Sequence, residues 1–127
     1  TLLDKILILH GLRAFFEATG QLRGNGRMSR HYYDVHQLMA GPLGPTACKD
    51  DSLIKNCVRH ANFFFYRANT GLEYAARGSF RLVPPDSMKG LLHQDYEAMA
   101  TMIFGQVPDF ETVMESVSTA EYLLNDI

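Results

Sequence analysis

Four chemically active side chains crowd the run Met28-Ser29-Arg30-His31-Tyr32-Tyr33-Asp34-Val35-His36-Gln37-Leu38: the guanidinium of Arg30, the imidazole of His31, the phenol of Tyr33 and the carboxylate of Asp34. A planar guanidinium fork matches phosphates and carboxylates better than an ammonium does, and this cluster is the one place where the chain looks built for chemistry and not for packing. A structural reading stands beside it. Asp34 near the positive end of a helix, with Arg30 one turn away, is also how an ordinary ion pair looks.

A helix must position these groups. Ser29 is a residue type that caps helices, and Val35, Leu38 and Met39 supply an apolar face behind the polar cluster. Gly41-Pro42-Leu43-Gly44-Pro45 should end this helix firmly. Ahead of it, Leu2, Leu3, Ile6, Leu7, Leu9, Leu12, Phe15 and Phe16 predict a leading helix that is apolar over most of its circumference, hence central, and that stops near Gly20. Gln21 to Arg27, with Gly24-Asn25-Gly26, reads as a flexible connection.

The rest of the chain reads as three more helices. One is expected from about Cys48 to Tyr66, with Leu53, Ile54, Cys57, Val58, Ala61, Phe64 and Phe65 as its stripe. Arg67 to Pro85 breaks the periodicity and ends in paired prolines, which predicts a long ordered loop. Asp86 or Ser87 then caps a helix carrying Met88, Leu91, Leu92, Tyr96, Met99, Met102 and Ile103, ending before Gly105. Pro108-Asp109 opens the last, with Phe110, Val113, Met114, Val117, Ala120 and Leu124 inward and Glu111, Glu115 and Glu121 on a solvated face. The fold class expected is all-α: one helical domain over residues 1–127, a bundle of about five helices with one long ordered loop at about 67–85.

Composition narrows the function classes. With 46% hydrophobic and 20% charged residues, the 127-residue chain can form a real core and is not a disordered tail. No apolar run approaches the roughly 18 residues of a membrane span, and Leu2 to Leu9 lacks the basic leader of a signal peptide, so a cytoplasmic protein is expected. Charge is lopsided. Residues 1–85 hold eleven Lys and Arg against six acids, a net of +5, and residues 86–127 hold eight acids against Lys89 alone, a net of −7. Eight arginines in the basic part (Arg13, Arg23, Arg27, Arg30, Arg59, Arg67, Arg77, Arg81) either read phosphate or pair with the acidic helices.

Other chemistries fit poorly. His31 and His36 are five apart and face different sides of a helix, while His10, His60 and His93 are isolated, so no pair has zinc-helix spacing. Ser79 in Arg77-Gly78-Ser79-Phe80-Arg81 lacks the second glycine of a nucleophile elbow. Cys48 and Cys57, nine apart on one expected helix, match neither a metal knuckle nor a disulfide framework and read as buried thiols.

Taken in order, several runs resemble the carboxyl-terminal half of the AbiEii/AbiGii toxin family of nucleotidyltransferase-like proteins. They are Lys5 and His10 on the leading helix, Ser29-Arg30-His31-Tyr32-Tyr33-Asp34, Arg59-His60 before Phe63-Phe64-Phe65, Gly78 to Pro85, Leu92-x-x-Asp95-Tyr96-x-x-Met99, and Met102-Ile103-Phe104-Gly105. The resemblance covers essentially the whole chain. It implies an amino-terminal lobe of the same polypeptide, outside this sequence, with a Gly-Ser phosphate loop and paired metal-binding aspartates. A chain that opens on Thr1 and turns helical at once fits a piece of such a longer protein.

On this chain the resemblance implies Lys5 and Asp34 as catalytic residues. Arg30, His10, Tyr33 and Arg27 are implied as substrate or phosphate contacts, and no metal ligand is implied other than Asp34. Lys5 also has a structural reading, as a side chain that snorkels from an apolar helix to water. The implied reaction transfers a nucleotide from a nucleoside triphosphate (NTP) with Mg2+, in some members to the acceptor end of tRNA, alongside a cognate antitoxin. This chain alone would be inactive. The alternative reading is a non-catalytic helical interaction module that binds a basic partner or a second copy through the acidic last third.

Overall fold

A computed structural model describes residues 2–22, 28–65, 71–101 and 105–126, without the side chains of residues 64 and 65. Six α-helices account for most of it: α1 (Leu2–Thr19), α2 (Ser29–Met39), α3 (Leu43–Ala47), α4 (Asp51–Phe65), α5 (Asp86–Ala100) and α6 (Phe110–Asn125). A single 3-10 turn, Leu72–Tyr74, lies between α4 and α5, and the described residues contain no strand. The architecture is all-α. Arg23, Arg27, the Gly24-Asn25-Gly26 connection, Tyr66, Arg67, Met102, Ile103 and Phe104 lie outside the described residues.

The apolar circumference of α1 has the expected effect: Leu2, Leu3, Ile6, Leu7, Leu9 and Leu12 are all buried, and the helix packs against α2, α3, α4 and the 3-10 turn. The shorter α2 is the other hub, lying against α1, α5 and α6. Tyr32 and Val35, one turn apart by helical spacing, are completely enclosed there, opposite the polar cluster on the same helix. Val113, Val117, Ala120 and Leu124 of α6 and Met88 and Leu92 of α5 complete this core, all with no exposure.

Three expectations are corrected. First, the helix expected from about Cys48 starts later, and a short helix precedes it. Gly41-Pro42 turns the chain straight into α3, which places Cys48 at the end of that helix, so Cys48 and Cys57 occupy different helices and the next one starts at Asp51. The reversal is tight enough that a Cβ on Gly44 would sit 2.5 Å from the Leu38 carbonyl oxygen. Second, Ser29 does not cap α2. It is buried as the first residue of the helix, and its N–H donates instead to Asp95 Oδ2 of α5 at 2.8 Å, so the cap is supplied by another helix. Third, Glu121 is not on a solvated face. Its Oε1 accepts the N–H groups of Leu82 and Val83 at 2.6 and 3.1 Å.

That last contact belongs to a general arrangement. Residues 71–85 run over α1 and α6 with little secondary structure of their own, yet Phe80 and Leu82 are buried, so their backbone groups need partners. Asn125 supplies both an acceptor for Phe80 N–H (2.9 Å) and a donor for Phe80 C=O (2.8 Å). Arg13 donates to Val83 C=O at 2.6 Å. Arg77 reaches the other way, donating to the carbonyls of Leu123, Leu124 and Asp126 at the end of α6 and pairing with Asp51 at 2.7 Å. The cation thus faces the negative end of the helix.

Two substitutions test this packing. Gly44→Ala should cost about 1–3 kcal/mol in urea titration, because the neighbour it strikes is backbone and cannot rotate away. Tyr32→Phe should be neutral or stabilising, since the buried Tyr32 hydroxyl has no hydrogen-bond partner among the described residues and its removal leaves nothing unpaired. A loss above about 1 kcal/mol for Tyr32→Phe would show that the hydroxyl is satisfied after all.

Candidate functional site

Lys5 stands in the first turns of α1, where its neighbours Leu2, Leu3, Ile6 and Leu9 are all buried. Its stem therefore runs out of an apolar surface toward α2. On α2, His31 and Asp34 are three apart and share a face, and Arg30 is one turn before Asp34. The packing of α1 on α2 brings Lys5 Nζ to 3.1 Å from Asp34 Oδ2 and 3.3 Å from His31 Nδ1. The side chains of Lys5 and Asp34 are each 30% exposed, so the pair lies at the surface with its apolar stem covered.

An ammonium has no lone pair, so Lys5 donates in both contacts, and His31 must present a bare Nδ1 with its proton on Nε2. The surroundings favour that neutral ring. Burial pushes His31 below its usual range; the cation of Lys5 pushes the same way, Asp34 opposes it, and Arg30 adds to the lowering. Arg30 itself is exposed and takes no ion-pair partner among the described residues, so it does not brace Asp34.

The other residues implied by the resemblance lie elsewhere. His10, five positions after Lys5, points about 140° around α1 from it. It is buried: its Nε2–H donates to Gly71 C=O at 3.0 Å, its Nδ1 accepts from Arg81 N–H at 3.2 Å, and its ring meets Phe80 edge-on at 5.6 Å. Both nitrogens are committed to backbone, which leaves none for a substrate. Gly71 adopts a left-handed φ of 66° there, and a Cβ would approach His10 Nε2 to 3.3 Å, which explains glycine at that position. Tyr33 is half-buried and accepts from Gln37 one turn along the helix, away from Lys5. Arg27 is outside the described residues.

Of the arginines proposed to read phosphate, Arg13 and Arg77 are used inside the fold, paired with Glu17 and Asp51, while Arg30, Arg59 and Arg81 are exposed. Sequence reasoning placed His31 in the polar cluster but gave it no role at the site. Its three-residue spacing from Asp34 on a helix was the signal that could have found it.

The set suits an anion better than a metal. Lys5 has a third N–H to offer and Arg30 an exposed guanidinium, both fitted to phosphate oxygens. For Mg2+ the donor set is wrong: Asp34 is a single carboxylate already facing a cation, and no group of three or more His, Cys, Asp or Glu among the described residues could hold a metal ion. No helix among the described residues is long and apolar enough to cross a membrane.

The family model described as nucleotidyl transferase AbiEii toxin, type IV toxin–antitoxin system, covers residues 1–116. No curated protein and no solved structure matches the chain.

Stability should depend on pH through two histidines. His10 is also held below its usual range, chiefly by burial, with the Gly71 carbonyl and Glu73 opposing and Arg81 adding to the lowering. Unfolding releases both rings to their ordinary value near 6.5, so the unfolded chain takes up protons first as pH falls. Stability should be level from about pH 7 to 8 and decline from about pH 6.5 downward. Thermal melts at pH 7.5, 6.5 and 5.5 check this, and an equal or higher melting temperature at pH 5.5 would contradict it.

Proposed function

Because this chain belongs to the nucleotidyl transferase AbiEii toxin family of type IV toxin–antitoxin systems, we propose that it forms the helical part of a nucleotidyltransferase site, with Lys5 and Asp34 as its catalytic residues. The observation that carries the reading is the 3.1 Å contact between them. They come from different helices, and half-exposed ion pairs of this kind contribute about 1 kcal/mol or less to stability, so packing alone gives little reason to place a lysine there.

The chemistry follows from the pairing. An NTP offers several negative oxygens, and its phosphates compete with Asp34 for the Lys5 ammonium while Arg30 takes another oxygen. Once Lys5 has moved to the phosphates, the Asp34 oxygen it occupied is open to the acceptor hydroxyl. It takes the proton of the acceptor hydroxyl as the oxygen bonds to the α-phosphorus, and the bond to the departing pyrophosphate breaks, with its charge met by Lys5 and Arg30.

In this proposal Mg2+ belongs to paired aspartates of an amino-terminal lobe of the same polypeptide, which also carries the phosphate loop. The acceptor is a nucleic-acid end such as that of tRNA. The protein acts in the cytoplasm, opposed by a cognate antitoxin. Of the acids that a purely binding module would use, Glu121 gives its Oε1 to the Leu82 and Val83 amides, while Glu111 and Glu115 are exposed.

In the full-length protein, Lys5→Ala and Asp34→Ala should each lower the rate of nucleotide transfer by about a hundredfold while the melting temperature stays close to that of the parent. Retention of full rate by both variants, or nucleotide transfer by the 127-residue chain alone, would sink the assignment.

A further inference from the structure

Lys5 has two acceptors, and only one of them is charged. Asp34 offers attraction; His31 Nδ1, 3.3 Å from the same Nζ, offers a direction. The difference matters because the reaction proposed above requires Lys5 to leave Asp34. Fixing an ammonium on a flexible four-carbon stem costs rotamer entropy that a partly exposed ion pair does not fully return. Released from the carboxylate with nothing else to hold it, Lys5 would sample solvent and not the phosphates.

His31 is placed to prevent that. It precedes Asp34 by three residues on α2, so the two acceptors approach Nζ from neighbouring points on one helix face. The charged groups around the ring are Lys5 from α1 and Arg30 and Asp34 from its own helix, two cations against one anion. With burial added, the ring stays neutral, and a neutral acceptor does not draw the ammonium away from an incoming anion.

We infer that His31 is a positioning residue for Lys5: through Nδ1 it holds the ammonium at one point while Asp34 and a phosphate oxygen of the nucleotide exchange places on it. The inference rests on the nucleotidyltransferase reading of the site.

Two isosteres separate its roles. His31→Asn puts an amide oxygen near the position of Nδ1 and keeps an acceptor for Lys5. His31→Gln puts its amide group near Nε2 and leaves Lys5 without that acceptor. In the full-length protein, His31→Asn should keep kcat within about threefold, whereas His31→Gln should lower it at least about tenfold, since small misplacements of a catalytic group are costly. Both should melt close to the parent. Lys5→Ala and Asp34→Ala are run alongside. If those two lose activity but His31→Asn and His31→Gln behave alike, the positioning role is overturned and the proposed function stands. If those two keep full rate, the function is overturned and the positioning role with it.

A second readout needs no turnover. In protein carrying 15N-labelled histidine, long-range proton–nitrogen NMR should show the His31 proton on Nε2 at pH 7, and Lys5→Met should move the ring's titration to higher pH by removing a cation beside it. A proton found on Nδ1, or a titration indifferent to Lys5, would overturn the inference.

Discussion

The buried backbone of residues 71–85 sets the terms for the rest of the molecule. Eight of its polar groups, Gly71 C=O, Leu72 C=O, Phe80 N–H and C=O, Arg81 N–H, Leu82 N–H, and Val83 N–H and C=O, are satisfied by helix side chains, all but one of them from α1 and α6, through His10, Arg13, Glu121 and Asn125, with Asn62 of α4 serving Leu72. Each such group left unpaired in a buried place costs about 1–3 kcal/mol against a total stability of about 5–15 kcal/mol. The segment therefore fixes α1 and α6 in register with itself. Since α2 packs against both helices, the position of Lys5 over α2 inherits its definition from a loop on the other side of α1.

This division of labour explains why α1 carries ionisable residues with opposite fates. His10 and Arg13 face the loop and are consumed by its backbone. Lys5 faces α2 and meets only side chains, so nothing in the main chain depends on it. A group whose partners are themselves side chains can exchange them without disturbing the fold, which is what a reacting site requires and a structural cap does not allow.

Much of the helical framework was legible in the sequence because periodicity reports directly on burial. The inward stripe Phe110, Val113, Met114, Val117, Ala120 and Leu124 is the observed core face of α6, and α1 is enclosed as its apolar circumference implies. What periodicity cannot show is what a neighbouring segment brings over a polar position. Glu121 and Asp95 both look like solvated acids in a helical pattern, yet one receives loop amides and the other receives the first N–H of α2. Gly41-Pro42 reads as a stop, and the short helix after it appears only because Gly44 admits the Leu38 carbonyl. At the site, Lys5 and Asp34 were proposed through ordered motifs, while His31, named in the same cluster, was given no part because its spacing was weighed for metal ligation and not for its shared face with Asp34.

The ties from residues 71–85 also bear on how the chain acquires its shape. They join groups 61 to 71 positions apart toward α1 and 38 to 45 apart toward α6, so they close only after both helices are in place. Individual helices can form on local contacts, but long-range closures of this span come late and slowly. The register of α1, from which Lys5 reaches Asp34, is complete only when these ties have closed. A chain without them carries every residue of the site with α1 held less firmly over α2.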